Sequence, residues 1–374
     1  MNIKAFFRRI ANFLNVWYHS LDKCLFWGVA GLILFGMILT FSASPAVASR
    51  VIKSKDSFHF IKKQLIFLAP TIGIILGMSM LSIRWIKRVS LAVFVGSIVL
   101  CVLVLIFGES IKGGTRWFQI FGLTIQPSEF LKPSLAVVGA VFFEKGLLDA
   151  DCPGARIATG LWFLCALLVF LQPDIGMTTT ITAIWGCQLF LAGLPIKWVF
   201  AGVGLGAGVA PILYCILPHV RKRIDGFLFP EKSDVFQVKT ALEALHHGGW
   251  FGRGPGEGII QLKLPDAHTD FILAVAAEEY GFLISAGLVI LFFFVLMRGL
   301  FLIFNEKNLF IMLAIAGLLT QFGLQALINM ASTLHLMPTK GMTLPFISYG
   351  GSSLLSFGFC FGIILALTRR ERTL

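Results

Sequence analysis

The sequence predicts an all-α, polytopic integral membrane protein with about ten transmembrane helices and one large extracytoplasmic loop. Three observations point there. Of the 374 residues, 57% are hydrophobic and 13% charged, with a mean hydropathy of +0.86; a soluble domain averages roughly a quarter charged residues. The apolar residues gather into runs of the length a helix needs to cross the hydrocarbon core, about 20 residues. Within the runs the hydrophobicity is continuous, unlike the alternating pattern of an outer-membrane barrel. A disordered chain, a disulfide scaffold and an ordinary soluble enzyme are excluded on the same grounds.

The runs fall at 24–44, 64–81, 89–107, 127–143, 159–171, 176–193, 198–218, 271–297, 308–330 and 351–367. Ahead of the first stand 23 residues holding Lys4, Arg8, Arg9 and Lys23. A cleavable signal has a shorter apolar core and a small-residue cleavage site, so the first run reads as an uncleaved span. Residues 1–23 then form a cytoplasmic N-terminal segment of a single membrane domain, 1–374. The runs at 127–143 and 159–171 are short, which suits tilted spans or neighbouring re-entrant segments. An even number of spans puts both termini on one side. Basic residues are denser in the segments that a cytoplasmic N-terminus places inside. The net charge of +12, from 31 basic and 19 acidic residues, reads as flanks held at lipid headgroups, with no nucleic acid implied. The seven cysteines form no CxxC pair and read as small buried hydrophobes.

The longest polar segment, 219–270, is the predicted extracytoplasmic loop, and it holds seven of the 19 acids. Phe227, Phe229, Phe236, Leu242, Leu245, Trp250 and Phe251 are too many apolar anchors for a disordered linker. Residues 235–246 have the pattern of a short amphipathic helix, lying on the membrane or covering a cavity. The glycine-rich stretch 248–258 is neither a P-loop nor a dinucleotide turn, lacking a following Gly-Lys-Ser/Thr and a preceding strand. It reads as a mobile turn whose amides can approach a phosphate.

Several polar constellations interrupt the apolar pattern. In 263–271, Pro265 breaks the chain, and Asp266, His268 and Asp270 crowd the start of the eighth span. Thr269 or Asp270 can cap that helix, but capping leaves the second acid and the histidine unexplained, which favours a functional role for Asp270. Glu278 and Glu279 lie inside the same apolar run. Intramembrane acids normally face a cavity or a partner, so an ion pair and a substrate role are both open. Arg116 precedes a turn leading to Gln126, Pro127, Ser128 and Glu129, where Pro127 suits a first helical turn and Glu129 can pair with Lys132. Arg116 and Lys132 could instead serve an anion-binding cavity. Asp174 follows Gln172 and Pro173 as a turn residue and helix cap at the cavity mouth. The 338–353 stretch has too many prolines and glycines for a plain helix, as expected of backbone lining protein or a wet cavity.

Taken in order, Arg116 and Trp117, Gln126 to Glu129, Gln172 to Asp174, His268 to Phe271, and Leu344 to Ser353 resemble the SEDS family (shape, elongation, division and sporulation) of bacterial cell-wall polymerases. The resemblance runs over nearly the whole chain, and the wording of 338–346 is nearer the family's division members than its elongation members. It implies a ten-span fold in the bacterial cytoplasmic (inner) membrane, with cytoplasmic termini and a place at the division septum. The implied activity is a peptidoglycan glycosyltransferase polymerising lipid II, an undecaprenyl-pyrophosphoryl disaccharide-pentapeptide. The implied partners are a class B penicillin-binding protein transpeptidase, other divisome proteins and membrane lipid. The family's essential loop aspartate falls on Asp270. Division members often carry a further acid a few residues earlier; here Gln261, Leu262, Lys263 and Leu264 stand there, with Asp266 an imperfect substitute.

Such chemistry needs a base for the acceptor hydroxyl, positive charge for the leaving pyrophosphate and an apolar groove for the tail. Asp270 is the expected base. Arg116, Lys132, Arg221, Lys239 and Lys340 are the candidate cations, and Glu129, Asp174, His268 and Ser348 complete the candidate binding set. A divalent cation, Mg2+ or Mn2+, could share the charge, although no ligand cluster in the sequence demands one. The alternative function is a lipid II flippase or other membrane transporter using the same ionisable residues.

Overall fold

The computed structural model describes residues 3–47, 59–111, 114–120, 123–229, 236–264 and 266–370. Ten helices coincide with the ten predicted spans: α2 (Lys23–Val47), α3 (His59–Ser79), α4 (Ile83–Phe107), α5 (Pro127–Leu148), α6 (Gly154–Leu171), α7 (Ile175–Leu191), α8 (Ile196–Ile216), α11 (Ile272–Phe304), α12 (Leu309–Thr333) and α13 (Gly351–Leu367). Among the described residues, seven helices are long and apolar enough to cross a membrane. The other three are α5, which carries Glu129, Lys132, Glu144 and Lys145, and the shorter apolar α7 and α13. Three further helices flank them: α1 (Ile3–Ser20) before the first span, and α9 (Pro218–Leu228) and α10 (Phe236–Gly248) in the long polar segment. A small antiparallel sheet is added to the predicted helical plan. Its strands are β1 (Glu109–Ile111), β2 (Gly114–Ile120) and β3 (Leu123–Ile125), in the order β1-β2-β3. Phe118 pairs with Ile125 and Ser110 with Thr115, so this short segment satisfies its backbone locally.

The core lies where α5, α12 and α13 meet; these helices bury most of their side chains. Lipid tails offer no hydrophobic drive between helices, so close backbone approach and interhelical hydrogen bonds hold such a bundle. Both occur here. α13 meets α3 through Gly351, Gly358 and Gly362, where an added Cβ would lie 2.4 Å from the Phe67 ring, 2.8 Å from Thr71 and 2.6 Å from Met78. The buried Gln188 of α7 donates from Nε2 to the carbonyls of Ala136 (2.6 Å) and Leu313 (3.1 Å), joining α7 to α5 and α12. In contrast, α8 stands off the bundle with no described residue of its apolar stretch buried, and touches α7 and α9.

Candidate functional site

The long polar segment is tied to a break in α11. Gly281 leaves helical geometry (φ 82°, ψ 178°), which frees backbone groups on both sides of it. The glycine-rich stretch takes them up. Phe282 N donates to Gly249 O (2.9 Å) and Leu283 N to Trp250 O (3.3 Å), while Arg253 N and Gly254 N donate to Glu278 O and Glu279 O. An added Cβ on Gly281 would lie 2.3 Å from Gly252 N, and one on Gly252 would lie 2.2 Å from Glu279 O. The 248–258 stretch is therefore a brace whose key amides are spent on α11, and the expected mobile, phosphate-approaching turn is corrected accordingly.

The two intramembrane acids complete this joint. Glu278 is fully buried and accepts from the amides of Ile259 (2.9 Å), Ile260 (2.8 Å) and Gln261 (2.7 Å), with His247 Nδ1 at 3.0 Å. Glu279 accepts from Ser42 of α2 and from the Gln261 amide. A buried carboxylate is tolerated when its lone pairs are met by donors, so both acids hold the 259–261 segment. α10, starting close to the expected position, buries Val238, Ala241 and Ala244 and packs on α11.

Asp270 occupies the turn before α11 and is held from two sides; Pro265 lies outside the described residues. Asn329 Nδ2, from α12, donates to Asp270 O (2.9 Å) and to Met342 O (2.7 Å). Thr333 Oγ1 reaches Asp270 O at 3.5 Å. The 338–350 loop closes over the same turn: Ser348 Oγ donates to Thr269 O and accepts from Leu344 N (2.8 Å), and Tyr349 N donates to His268 O (2.9 Å). Gly341 adopts φ +64°, and a Cβ there would lie 3.3 Å from Asp270 Oδ2. The absence of a side chain at 341 thus keeps space beside the carboxylate.

Positive charge collects around the same place. Arg116 on β2 is fixed to the turn entering α7: Nε donates to Gln172 O (3.1 Å), Nη2 to Pro173 O (2.5 Å), and Nη1 lies 3.0 Å from Asp174 Oδ2. Asp174 also caps α7 through Met177 N (3.1 Å). Arg223, on α9, stands within electrostatic reach of Arg116, Asp174 and Asp270. Arg223 keeps an exposed surface, yet partial loss of solvation and then the Arg116 charge lower its pKa, against the pull of the two aspartates; a guanidinium stays charged regardless. Lys340 joins the group: burial and then the Arg223 charge lower its pKa from the ordinary lysine value, with Asp174 opposing. Five chain segments therefore deliver Arg116, Arg223, Lys340, Asp174 and Asp270 to one region.

The other predicted residues are placed elsewhere. Lys132 and Glu129 are sealed in the bundle, Nζ to Oε2 2.9 Å, and Lys132 donates to Gln325 Oε1 (2.7 Å). Gln325 in turn donates to Thr343 O (3.2 Å), so the ion pair supports the 338–350 loop from beneath. Arg221 is exposed and pairs with Asp225 of its own helix at 3.6 Å. Lys239 is exposed on α10. Neither is among the charges that act on Arg223 or Lys340. His268 is buried with its ring against Tyr349, centroids 5.5 Å apart, and Ser348 spends its hydroxyl on the loop closure. Sequence reasoning missed Arg223 and Asn329. For Asn329 a signal was present: Gln321, Gln325 and Asn329 recur every fourth residue in an apolar helix, placing three amides on one face. Among the described residues no three His, Cys, Asp or Glu side chains gather as a metal site. Asp174 is already committed to Arg116, so these donors do not fit a resident metal centre.

Fold and site together define a polytopic helical membrane protein that gathers two carboxylates, Asp174 and Asp270, with a group of cations at an end of its bundle. Residues 23–373 match the FtsW/RodA/SpoVE family of cell cycle proteins, and the chain belongs to that family. It is 43% identical over 367 residues to a probable peptidoglycan glycosyltransferase FtsW of Caulobacter vibrioides, covering 98% of this chain and 94% of the relative. It is 34% identical to the protein of the same name from Trichlorobacter lovleyi, covering 93% of each. Among solved structures, it resembles a chain of a peptidoglycan synthase complex that coordinates polymerization and crosslinking (TM-score 0.77, 25% identity, 95% of this chain and 99% of that one). It also resembles the rod shape determining protein RodA of Thermus thermophilus (TM-score 0.69, 26% identity, 94% and 98%).

Proposed function

We propose that this chain is a peptidoglycan glycosyltransferase that polymerises lipid II during septal wall synthesis. The observation that carries the reading is Asp270, fixed through its backbone, with bare Gly341 beside its carboxylate and Arg223 within electrostatic reach. In the reaction, the acceptor sugar's 4-hydroxyl oxygen bonds to the donor's anomeric carbon. The bond from that carbon to the pyrophosphate breaks, the lipid pyrophosphate leaves with the electron pair, and Asp270 receives the hydroxyl proton. Arg223 and Lys340 stabilise the leaving pyrophosphate, and Arg116 shapes the field while holding β2 to α7. Preset charges of this kind act where negative charge develops. The Asp270 end faces away from the cytoplasm, both termini are cytoplasmic, and the partner is a class B penicillin-binding protein within the division machinery. The similarity to a chain of a peptidoglycan synthase complex supports that partnership.

The test is Asp270→Asn, assayed with purified lipid II and the cognate penicillin-binding protein. The variant is expected to insert normally and to lose polymer formation by on the order of 10²–10⁴-fold, the range of general base catalysis. Glycan strands made at the normal rate would refute the assignment.

A further inference from the structure

The N-terminal helix is not used by the reaction, and its packing is unusual. α1 runs from Ile3 to Ser20, about 27 Å at 1.5 Å per residue. Among its described side chains, those of the last turn are the ones seated on the bundle. Trp17 is buried with Nε1 donating to Ser79 Oγ (3.2 Å), and Arg370 N donates to Ser20 O (3.1 Å). Immediately after it, Asp22 is gripped by Arg298 of α11 through Nε (3.1 Å) and Nη2. These contacts lie at the C-terminal end of α13, the opposite end of the bundle from Asp270. From Ala11 to Val16 every residue is exposed, Phe13 and Leu14 at 41% each.

A helix this short, with Ala11 to Val16 unpacked, is marginal in water. Its sequence suits a different surface. Apolar residues recur at positions 3, 6, 7, 10, 13, 14 and 17, the spacing of one helical face. The intervening positions include Lys4, Arg8, Asn12, Asn15 and His19, and Arg9 adds a third permanent positive charge. The first acid of the chain is Asp22. α2 begins at Lys23, three residues after α1 ends, so the seated end of α1 is at the membrane boundary.

We propose that α1 lies in the membrane interface and binds anionic phospholipid headgroups through Lys4, Arg8 and Arg9, with its apolar face in the acyl boundary. Apolar area and attraction to anionic lipid act together in such helices. The contacts at Trp17, Ser20 and Asp22 couple this lipid-bound helix to α3, α11 and the end of α13.

The experiment is amide exchange of the full chain in nanodiscs of phosphatidylcholine alone and of phosphatidylcholine mixed with phosphatidylglycerol. In the anionic discs the amides of α1 should exchange on the order of a hundredfold more slowly, the size expected of three basic residues near an anionic surface. High salt should reverse the slowing in the unaltered protein, as should the double variant Arg8→Glu, Arg9→Glu. Phe13→Ser with Leu14→Ser should weaken it with the charges intact. Equal exchange in the two kinds of disc would overturn the proposal. So would a slowing that survives both high salt and charge reversal, or one that appears only when a protein partner is added.

Discussion

Asn329→Leu removes two donated hydrogen bonds while nearly keeping the side chain's volume. Asn329 is 2% exposed, and its Nδ2 bridges Asp270 O and Met342 O at 2.9 and 2.7 Å. The bridge fixes the turn carrying the proposed base to the loop that carries Gly341 and Lys340. A neutral hydrogen bond contributes about 0.5–1.5 kcal/mol net, so the pair is worth about 1–3 kcal/mol. If the whole of that loss appears as misplacement of Asp270, the rate falls by about five- to a hundredfold. The assay is initial rate of glycan formation against lipid II concentration, beside the thermal unfolding midpoint of the detergent-solubilised protein. The expected pattern is a lower kcat with KM little changed, because the cations proposed to hold the pyrophosphate remain. Normal kcat alongside a lowered unfolding midpoint would refute the positioning role and leave Asn329 as a packing residue.

Arg223→Gln should lower kcat/KM by about ten- to a hundredfold, the scale of one hydrogen bond to a charged group. Arg221→Gln, two residues away, should stay within about fivefold, as befits an exposed ion pair; equal losses in the two variants would count against the assignment of Arg223. Lys340 loses its proton at lower pH than an ordinary lysine, because burial and Arg223 lower its pKa. Its charge is present below that folded pKa and lost as pH rises through it, so the alkaline limb of kcat/KM should fall early. Over the same window stability rises, since the folded state binds this proton more weakly than the unfolded chain. Lys340→Arg should move the alkaline limb upward, and an unchanged pH profile would argue against Lys340 meeting the anion. Gly281→Ala combines about 1–3 kcal/mol of backbone strain with about 1–3 kcal/mol of overlap against Gly252 and Trp250. It should therefore lower the unfolding midpoint and open the 248–258 stretch to protease.

The sequence made the spans legible because each is a local property: about twenty apolar residues must be helical in lipid whatever surrounds them. Asp270 was legible for a related reason, as a charge at a helix start beside a chain break. Arg223 was not. Arg221, Lys222 and Arg223 are chemically alike, and which one reaches the mouth depends on the phase of α9, an eleven-residue helix set by tertiary contacts. Glu278 and Glu279 could not be decided either, since the deciding partners are remote: Ser42 is 237 residues from Glu279 in the chain. The sheet at 109–125 escaped notice because its strands are three, seven and three residues long, too short for periodicity to register.

The placement of charge also explains why α11 must break. A carboxylate serving as base must meet water-borne sugar, whereas Glu278 and Glu279, eight and nine residues further on, are buried. An unbroken helix would leave the second pair unpartnered in the bundle at considerable cost. The bend at Gly281 lets the polar segment fold back, supplying the amides of Ile259, Ile260 and Gln261 to Glu278 and the Gln261 side chain to Glu279. That same return path carries the chain to the turn holding Asp270. The buried acids and the proposed base are thus parts of one construction: the first two anchor the loop, and the anchored loop presents the third to the mouth.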